Sequence, residues 1–198
     1  MRRVIVYVHG SKRVGKTTFS NTVVRLAHAD GAEASTASII AALRNHIKDM
    51  YGLTDDHVHG DLKETPLPQF GGVTTRELLD GLVGWHFKND PSKMCFIRGC
   101  MADIARQMTS GFHRDARLSC IQDVIHHHEP PYIARIAEEV GARCIGVHIS
   151  RPGHTETYGV NMPPSEFDFA IDNCGSLNEF SRKVGLFYRQ KVRPGVLA

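Results

Sequence analysis

At 198 residues, with 41% hydrophobic and 23% charged residues, the chain has the balance of an ordinary globular domain with a substantial core and shows no bias towards disorder. Its formal net charge of +3 comes from dispersed basic residues, so charge gives no reason to invoke nucleic acid or a membrane surface, and it suits a small anionic substrate. No apolar run approaches the roughly 20 residues of a membrane helix, and Met1-Arg2-Arg3 leads straight into a short apolar run without a signal-type segment, which reads as a soluble cytoplasmic protein.

The first apolar run, Val4-Ile5-Val6-Tyr7-Val8, suits a strand covered on both faces of a parallel sheet. Directly behind it stands Gly10-Ser11-Lys12-Arg13-Val14-Gly15-Lys16-Thr17, which has the form G-x-x-x-x-G-K-[ST] of a phosphate-binding loop. Glycines let such a backbone curl until successive N–H groups face phosphate oxygens, Lys16 adds a positive charge, and Thr17 offers a hydroxyl to Mg²⁺. Phe19, Val23, Leu26 and Ala27 then recur at helical spacing, so the loop opens a helix whose positive dipole end faces the phosphates.

After Gly31, the small-residue stretch 32–38 leads into Ile39, Ile40, Leu43, Ile47, Met50 and Tyr51, an apolar stripe on a second helix that Gly52 stops. Residues 53–72 are polar, interrupted by Gly and Pro and without a sustained period, and read as a long loop that is either functional or mobile. Thr74 and Thr75 cap a helix carrying Leu78, Leu79, Leu82 and Trp85. Another runs from Asp90-Pro91 to about Met108. Strands follow at 118–124, 144–149 and 167–171, with helices at 131–140 and 177–187. Alternating strands and helices imply a parallel sheet covered on both faces, with ligands at the carboxyl ends of its strands. The Gly10 loop, Asp123, Arg151 and Asp172-Asn173-Cys174-Gly175 all fall at such ends. The five cysteines are odd in number and form no C-x-x-C pair, so they read as reduced thiols.

Tyr51-Gly52-Leu53-Thr54, Gly60-Asp61-Leu62-Lys63-Glu64 and Gly72-Val73-Thr74-Thr75-Arg76-Glu77-Leu78-Leu79 resemble, in that order, the substrate-binding region of deoxynucleoside monophosphate kinases of the phage type. The resemblance extends to the phosphate loop, to Asp123-Val124 with Glu129, to Arg151-Pro152-Gly153, and to 168–173 with Gly175. It implies an α/β P-loop kinase fold, three layers α/β/α around a mainly parallel sheet, forming one domain over 1–198. A helical nucleoside-monophosphate-binding region would span about 38–90 and a short lid-like segment 151–165.

It further implies transfer of the γ-phosphoryl group of ATP, with Mg²⁺, to a deoxynucleoside 5′-monophosphate. Gly10, Ser11, Arg13, Val14, Gly15, Lys16, Thr17 and Thr18 would hold the ATP phosphates, with Thr17 and Asp123 at the metal. Lys16, Arg76, Asp123 and Arg151 would be catalytic, and Arg44, Lys63, Arg76 and Glu129 would meet the acceptor. Asn173 and Gly175 would lie at the adenine, although turn propensity alone explains that stretch equally well. The implied partners are small-molecule nucleotides, without nucleic acid or membrane. Members often act as homodimers, and a phage-encoded one would work in the host cytoplasm.

Two departures from the family pattern stand out: Ile125 occupies the place of an arginine, leaving Arg98, Arg106, Arg114 and Arg117 as unassigned replacements, and Thr75 replaces a proline. His126-His127-His128 suggests a metal by composition, but adjacent side chains diverge. Trp85 and Phe87 fit either base stacking or a helix core. Competing readings are a P-loop kinase for another small acceptor, such as a nucleoside or coenzyme precursor, and a nucleotide-dependent switch or slowly hydrolysing binding subunit, although the N-K-x-D motif of GTP switches is absent.

Overall fold

A computed structural model describes residues 3–90, 92, 94–110, 117–155 and 162–197. The chain divides into two compact units, Met1–Ile39 with Met101–Ala198, and Ile40–Cys100.

The larger unit is built on strands β1 (Arg3–His9), β2 (Glu33–Ser38), β5 (Arg117–Gln122), β6 (Arg143–Ser150) and β7 (Phe169–Asp172). They lie in the order β2-β5-β1-β6-β7, and every pairing is parallel. One face of β1 presents Val4, Val6 and Val8 to Phe19 and Val23 of α1 (Lys16–Ala29) and to Phe180, Val184 and Phe187 of α7 (Leu177–Phe187). By strand alternation the other face carries Ile5, Tyr7 and His9, and both Tyr7 and His9 pack on Phe167. Helix α6 (Glu129–Glu139) connects β5 to β6, and α7 continues through a wide turn at Tyr188–Val192 into α8 (Arg193–Leu197). Because all five strands run the same way, 10, 39, 123, 151 and 173 leave the sheet at one edge.

This sheet has one strand more than the sequence led us to expect. The stretch 32–38 is not a linker: Glu33–Ser38 pairs with β5 from Glu33↔Arg117 to Ser38↔Gln122. Its sequence, Glu-Ala-Ser-Thr-Ala-Ser, has none of the large apolar residues that mark a buried strand, because it sits at the sheet edge with partly exposed side chains.

The smaller unit holds α2 (Ala41–Tyr51), α3 (Asp55–Val58), the two-residue strands β3 (Pro66–Leu67) and β4 (Val73–Thr74), and α4 (Thr75–Asn89). Leu43, Ile47, Leu53, Val58, Leu67 and Leu79 form its core. The supposed long loop 53–72 is therefore largely ordered into short pieces, including 3₁₀ turns at Asp61–Glu64 and Pro68–Phe70. Gly52 does end α2, at a φ of 61°. Met50 and Trp85, assigned to apolar stripes by spacing, are 58% and 57% exposed. The division between the units falls within α5 (Cys95–Thr109). Among the described residues no helix is long and apolar enough to cross a membrane.

Helix α7 begins with a complete capping box: the Ser176 hydroxyl accepts from the Glu179 N–H, while the Glu179 carboxylate accepts from the Ser176 N–H at 2.7 Å. Ser176→Ala is expected to cost about 1 kcal/mol of stability. Equilibrium urea unfolding checks this, with an unchanged midpoint as the contrary result.

Candidate active site

Helix α1 starts at Lys16 behind Gly15, whose φ is 103°, with no side-chain cap and no acid in its first turn. The first amides of a helix have no partner within it, so this end presents unpaired donors and a positive dipole end to an anion. Gly10 is needed for a different reason: at a φ of 151°, a Cβ placed there would lie 2.2 Å from the Ile149 carbonyl oxygen. Lys16 folds back over the loop and donates to the Gly10 and Ser11 carbonyls, both at 2.7 Å. Burial lowers its pKa, and the charge of Asp123 acts in the opposite direction.

Asp123 is placed just beyond β5 rather than within it, at a φ of 63°. With Arg13 at 60°, it is one of two non-glycine residues with positive φ among the described residues. Such conformations gather at functional sites, and aspartate tolerates this one better than most residues. The Asp123 carboxylate accepts a 3.1 Å hydrogen bond from Ser38, and the Thr17 hydroxyl lies 3.5 Å from the Gln122 side-chain oxygen. Thr17, Gln122 and Asp123 thus offer hard oxygen donors, the kind Mg²⁺ prefers.

Sequence reasoning missed Ser38, Gln122 and His9. The His9 imidazole is 1% exposed, and its Nδ1 meets the Val124 carbonyl at 2.7 Å. A carbonyl only accepts, so Nδ1 carries the proton. Burial lowers the pKa of His9, and also that of His148, whose ring is 5.5 Å away. A polar residue closing an apolar run just before Gly10 was the available signal.

Glu129, expected at the acceptor, is 2% exposed and accepts instead from the Ile125 and His126 amides at 2.6 and 2.9 Å, fixing the turn beyond Asp123. Gly175 leaves room for the capping carboxylate of Glu179. Asn173 points its side chain at the Val14 carbonyl of the phosphate loop. Val14 itself is fully buried, whereas Arg151 is exposed at the end of β6. Thr18 lies in the first turn of α1. Arg117 lies at the amino end of β5, the opposite edge of the sheet, paired with Glu33, while Arg106 pairs with Asp103. Arg98 is on α5, and Arg114 and 156–161 of the lid-like segment lie outside the described residues.

The histidine run splits up. His126 and His128 stack on each other, while His127 approaches Glu166 at 3.3 Å. A cavity of about 350 Å³ beside His127 is lined by Tyr7, Pro130, Pro131, Ala134, Glu166 and Phe167, without residues of the phosphate loop.

In the smaller unit, Arg76 on the first turn of α4 is ion-paired with Glu64. Burial lowers the pKa of His59, and the charges of Arg44 and Lys63 push it the same way, so these three basic residues share a neighbourhood. Phe87 meets Phe96 edge-on, while Trp85 stays exposed.

The larger unit's parallel sheet, with the Gly10–Thr17 loop between the central strand and α1, has the fold of the P-loop kinases. Solved structures agree over almost the whole chain. The APS kinase CysC of Mycobacterium tuberculosis in complex with AMPPNP and APS is 12% identical, with 96% of this chain and 99% of that one covered at a TM-score of 0.54. A putative kinase from Chloroflexus aurantiacus is 14% identical, with 98% and 99% covered at 0.52. No family model and no curated protein matches the chain.

Burial pushes the Glu129 carboxyl up to about 7, outweighing the opposing amide bonds, and the Asp123 charge adds to the rise. Between about pH 4.5 and 7, folding takes up a proton here, so the stabilisation is complete below 4.5 and is lost as pH climbs through 7. His9 and His148 act in the opposite sense: their contribution is complete above 6.5 and is lost as pH falls from there through their lowered values. The difference in unfolding free energy between the wild type and Glu129→Gln isolates the carboxyl. It is expected to fall by about 3 kcal/mol from pH 4.5 to 7.5, in urea titrations at several pH values. A difference independent of pH contradicts this.

Proposed function

We propose that this protein transfers the γ-phosphoryl group of ATP to a deoxynucleoside 5′-monophosphate, giving the diphosphate and ADP. The observation that carries the donor half is the uncapped start of α1 behind Gly15, with Lys16 folded over the loop. The uncapped first amides of α1 and one ammonium supply what a triphosphate needs, and Asp123 stands on the neighbouring strand's exit. Thr17 and Asp123, with Gln122 beside Thr17, would hold Mg²⁺, which supplies charge neutralisation at the β- and γ-phosphates. In this reading Lys16 stays with the transferring group as negative charge spreads over its equatorial oxygens. Arg151 adds a second positive charge from the end of β6. No strong base is required, because alignment and electrostatic stabilisation lower the barrier.

The acceptor half rests on the ordered resemblance of 51–79 to phage-type deoxynucleoside monophosphate kinases, on Arg44 and Lys63 close to His59, and on Arg76 in the first turn of α4. Arg76 would exchange its Glu64 partner for the acceptor phosphate, which suits its bidentate guanidinium. Glu129 acts indirectly, by holding the turn beyond Asp123. A second reading, a kinase for another small anionic acceptor, is favoured by the fold likeness to an APS kinase bound to AMPPNP and APS.

A coupled ADP-release assay with ATP·Mg²⁺ separates these readings when run with each of the four common dNMPs, with thymidine and without acceptor. The dNMP reading expects stimulation by at least one monophosphate and none by thymidine. ADP release independent of acceptor contradicts it. Lys16→Ala is expected to lower kcat by about 10²- to 10³-fold while the protein stays folded. Unchanged turnover removes Lys16 from the site. Arg76→Ala is expected to raise KM for the monophosphate by about tenfold with little change for ATP. An effect confined to ATP reverses that placement.

A further inference from the structure

In a phosphate loop, a carbonyl that turns away from the phosphates into buried protein needs a donor there. For Val14, in the middle of the loop, the donor is the Asn173 side chain, Nδ2 to carbonyl oxygen at 2.8 Å, across 159 residues of sequence. The carbonyl can only accept, which fixes the amide orientation with nitrogen towards the loop. Asn173 is 9% exposed, and its own N–H donates to the Ser150 carbonyl at 2.7 Å, one step beyond the Ser150↔Asp172 register of β6 and β7. Its neighbours are engaged elsewhere: the Asp172 carboxylate pairs with Lys183 and accepts from the Cys174 thiol. The amide also lies against Gly15, where an added Cβ would sit 2.9 Å from Nδ2 and 3.1 Å from the Phe180 ring. Backbone and side chain of one residue therefore tie the ends of β6 and β7 to the middle of the loop.

We infer that Asn173 is a positioning residue of the phosphate loop, holding the Val14 carbonyl outward so that the loop amides face the polyphosphate, and that it does not read the adenine base. This deepens the donor half of the proposed function and rests on the reading of 10–17 as a triphosphate site, independently of the acceptor. It also accounts for the glycine at 15 by close approach of the amide as well as by backbone conformation. An aspartate at 173 keeps the shape but turns a carboxylate oxygen towards the Val14 carbonyl, so it harms the loop more than an alanine does.

The test compares binding of ATP and of inorganic tripolyphosphate, each with Mg²⁺, to wild type, Asn173→Ala and Asn173→Asp by calorimetry, with thermal melts on the same samples. A positioning role predicts that both variants lose about ten- to a hundredfold in affinity, by the same factor for the two ligands, with the aspartate the worse of the two. The nearly isosteric aspartate preserves packing against Gly15 and Phe180, so it reports on the loop even if the alanine variant unfolds. Loss for ATP with tripolyphosphate binding intact would assign Asn173 to the base and overturn the inference. Unchanged affinity for both ligands would overturn it too. A wild type that binds neither ligand would defeat the triphosphate reading itself, which distinguishes that failure from a failure of Asn173 alone.

Discussion

The first turn of α1 begins without a side-chain cap, and most of the surrounding polar structure follows from that omission. Uncapped amides are useful to an anion only if the preceding loop is held open in one shape. The parallel sheet supplies the frame by bringing the ends of β1, β5, β6 and β7 to one edge. The loop is then fixed from three sides. Gly10 passes close under the Ile149 carbonyl, Lys16 gathers the Gly10 and Ser11 carbonyls, and Asn173 takes the Val14 carbonyl. The first constraint is steric, while the other two pair loop carbonyls with a partly buried ammonium and a buried amide, groups that are costly when unpaired and so favour a single arrangement.

The acid side of the site is built by the same device. Asp123 occupies a left-handed conformation, and the backbone just beyond it is held by neighbours. Ser38 donates to its carboxylate, His9 takes the Val124 carbonyl, and Glu129 takes the next two amides. Burial then favours the neutral form of both His9 and Glu129, so their titrations pull stability in opposite directions across the near-neutral range. Neither residue needs to touch a nucleotide to govern where Asp123 points.

How far the sequence disclosed this depends on how local each signal is. Val4–Val8, the Gly10–Thr17 spacing and the stripe of α1 are contiguous, and they gave the central strand, loop and helix directly. Strand β2 left no trace because an edge strand of small polar residues has no alternation to read. The pieces within 53–72 are each only two to four residues long and are set by local bonds such as the Thr54–His57 cap, so no hydrophobic period could reveal them. Spacing placed Met50 and Trp85 on apolar stripes but could not say where each stripe ends. Asn173 and Glu129 were singled out by position, yet their partners are backbone groups that no side-chain pattern encodes. The acceptor residues came from an ordered resemblance alone, which is why the donor half rests on firmer physical ground than the acceptor half.

The central claim is that a phosphoryl group leaves ATP for a deoxynucleoside monophosphate, and following the γ-phosphate itself tests it most directly. The protein is incubated with γ-labelled ATP, Mg²⁺ and an equimolar mixture of the four common dNMPs, and the products are separated. The account predicts label in a deoxynucleoside diphosphate, formed in step with ADP. Label appearing only in inorganic phosphate, at a rate indifferent to the dNMPs, would contradict it.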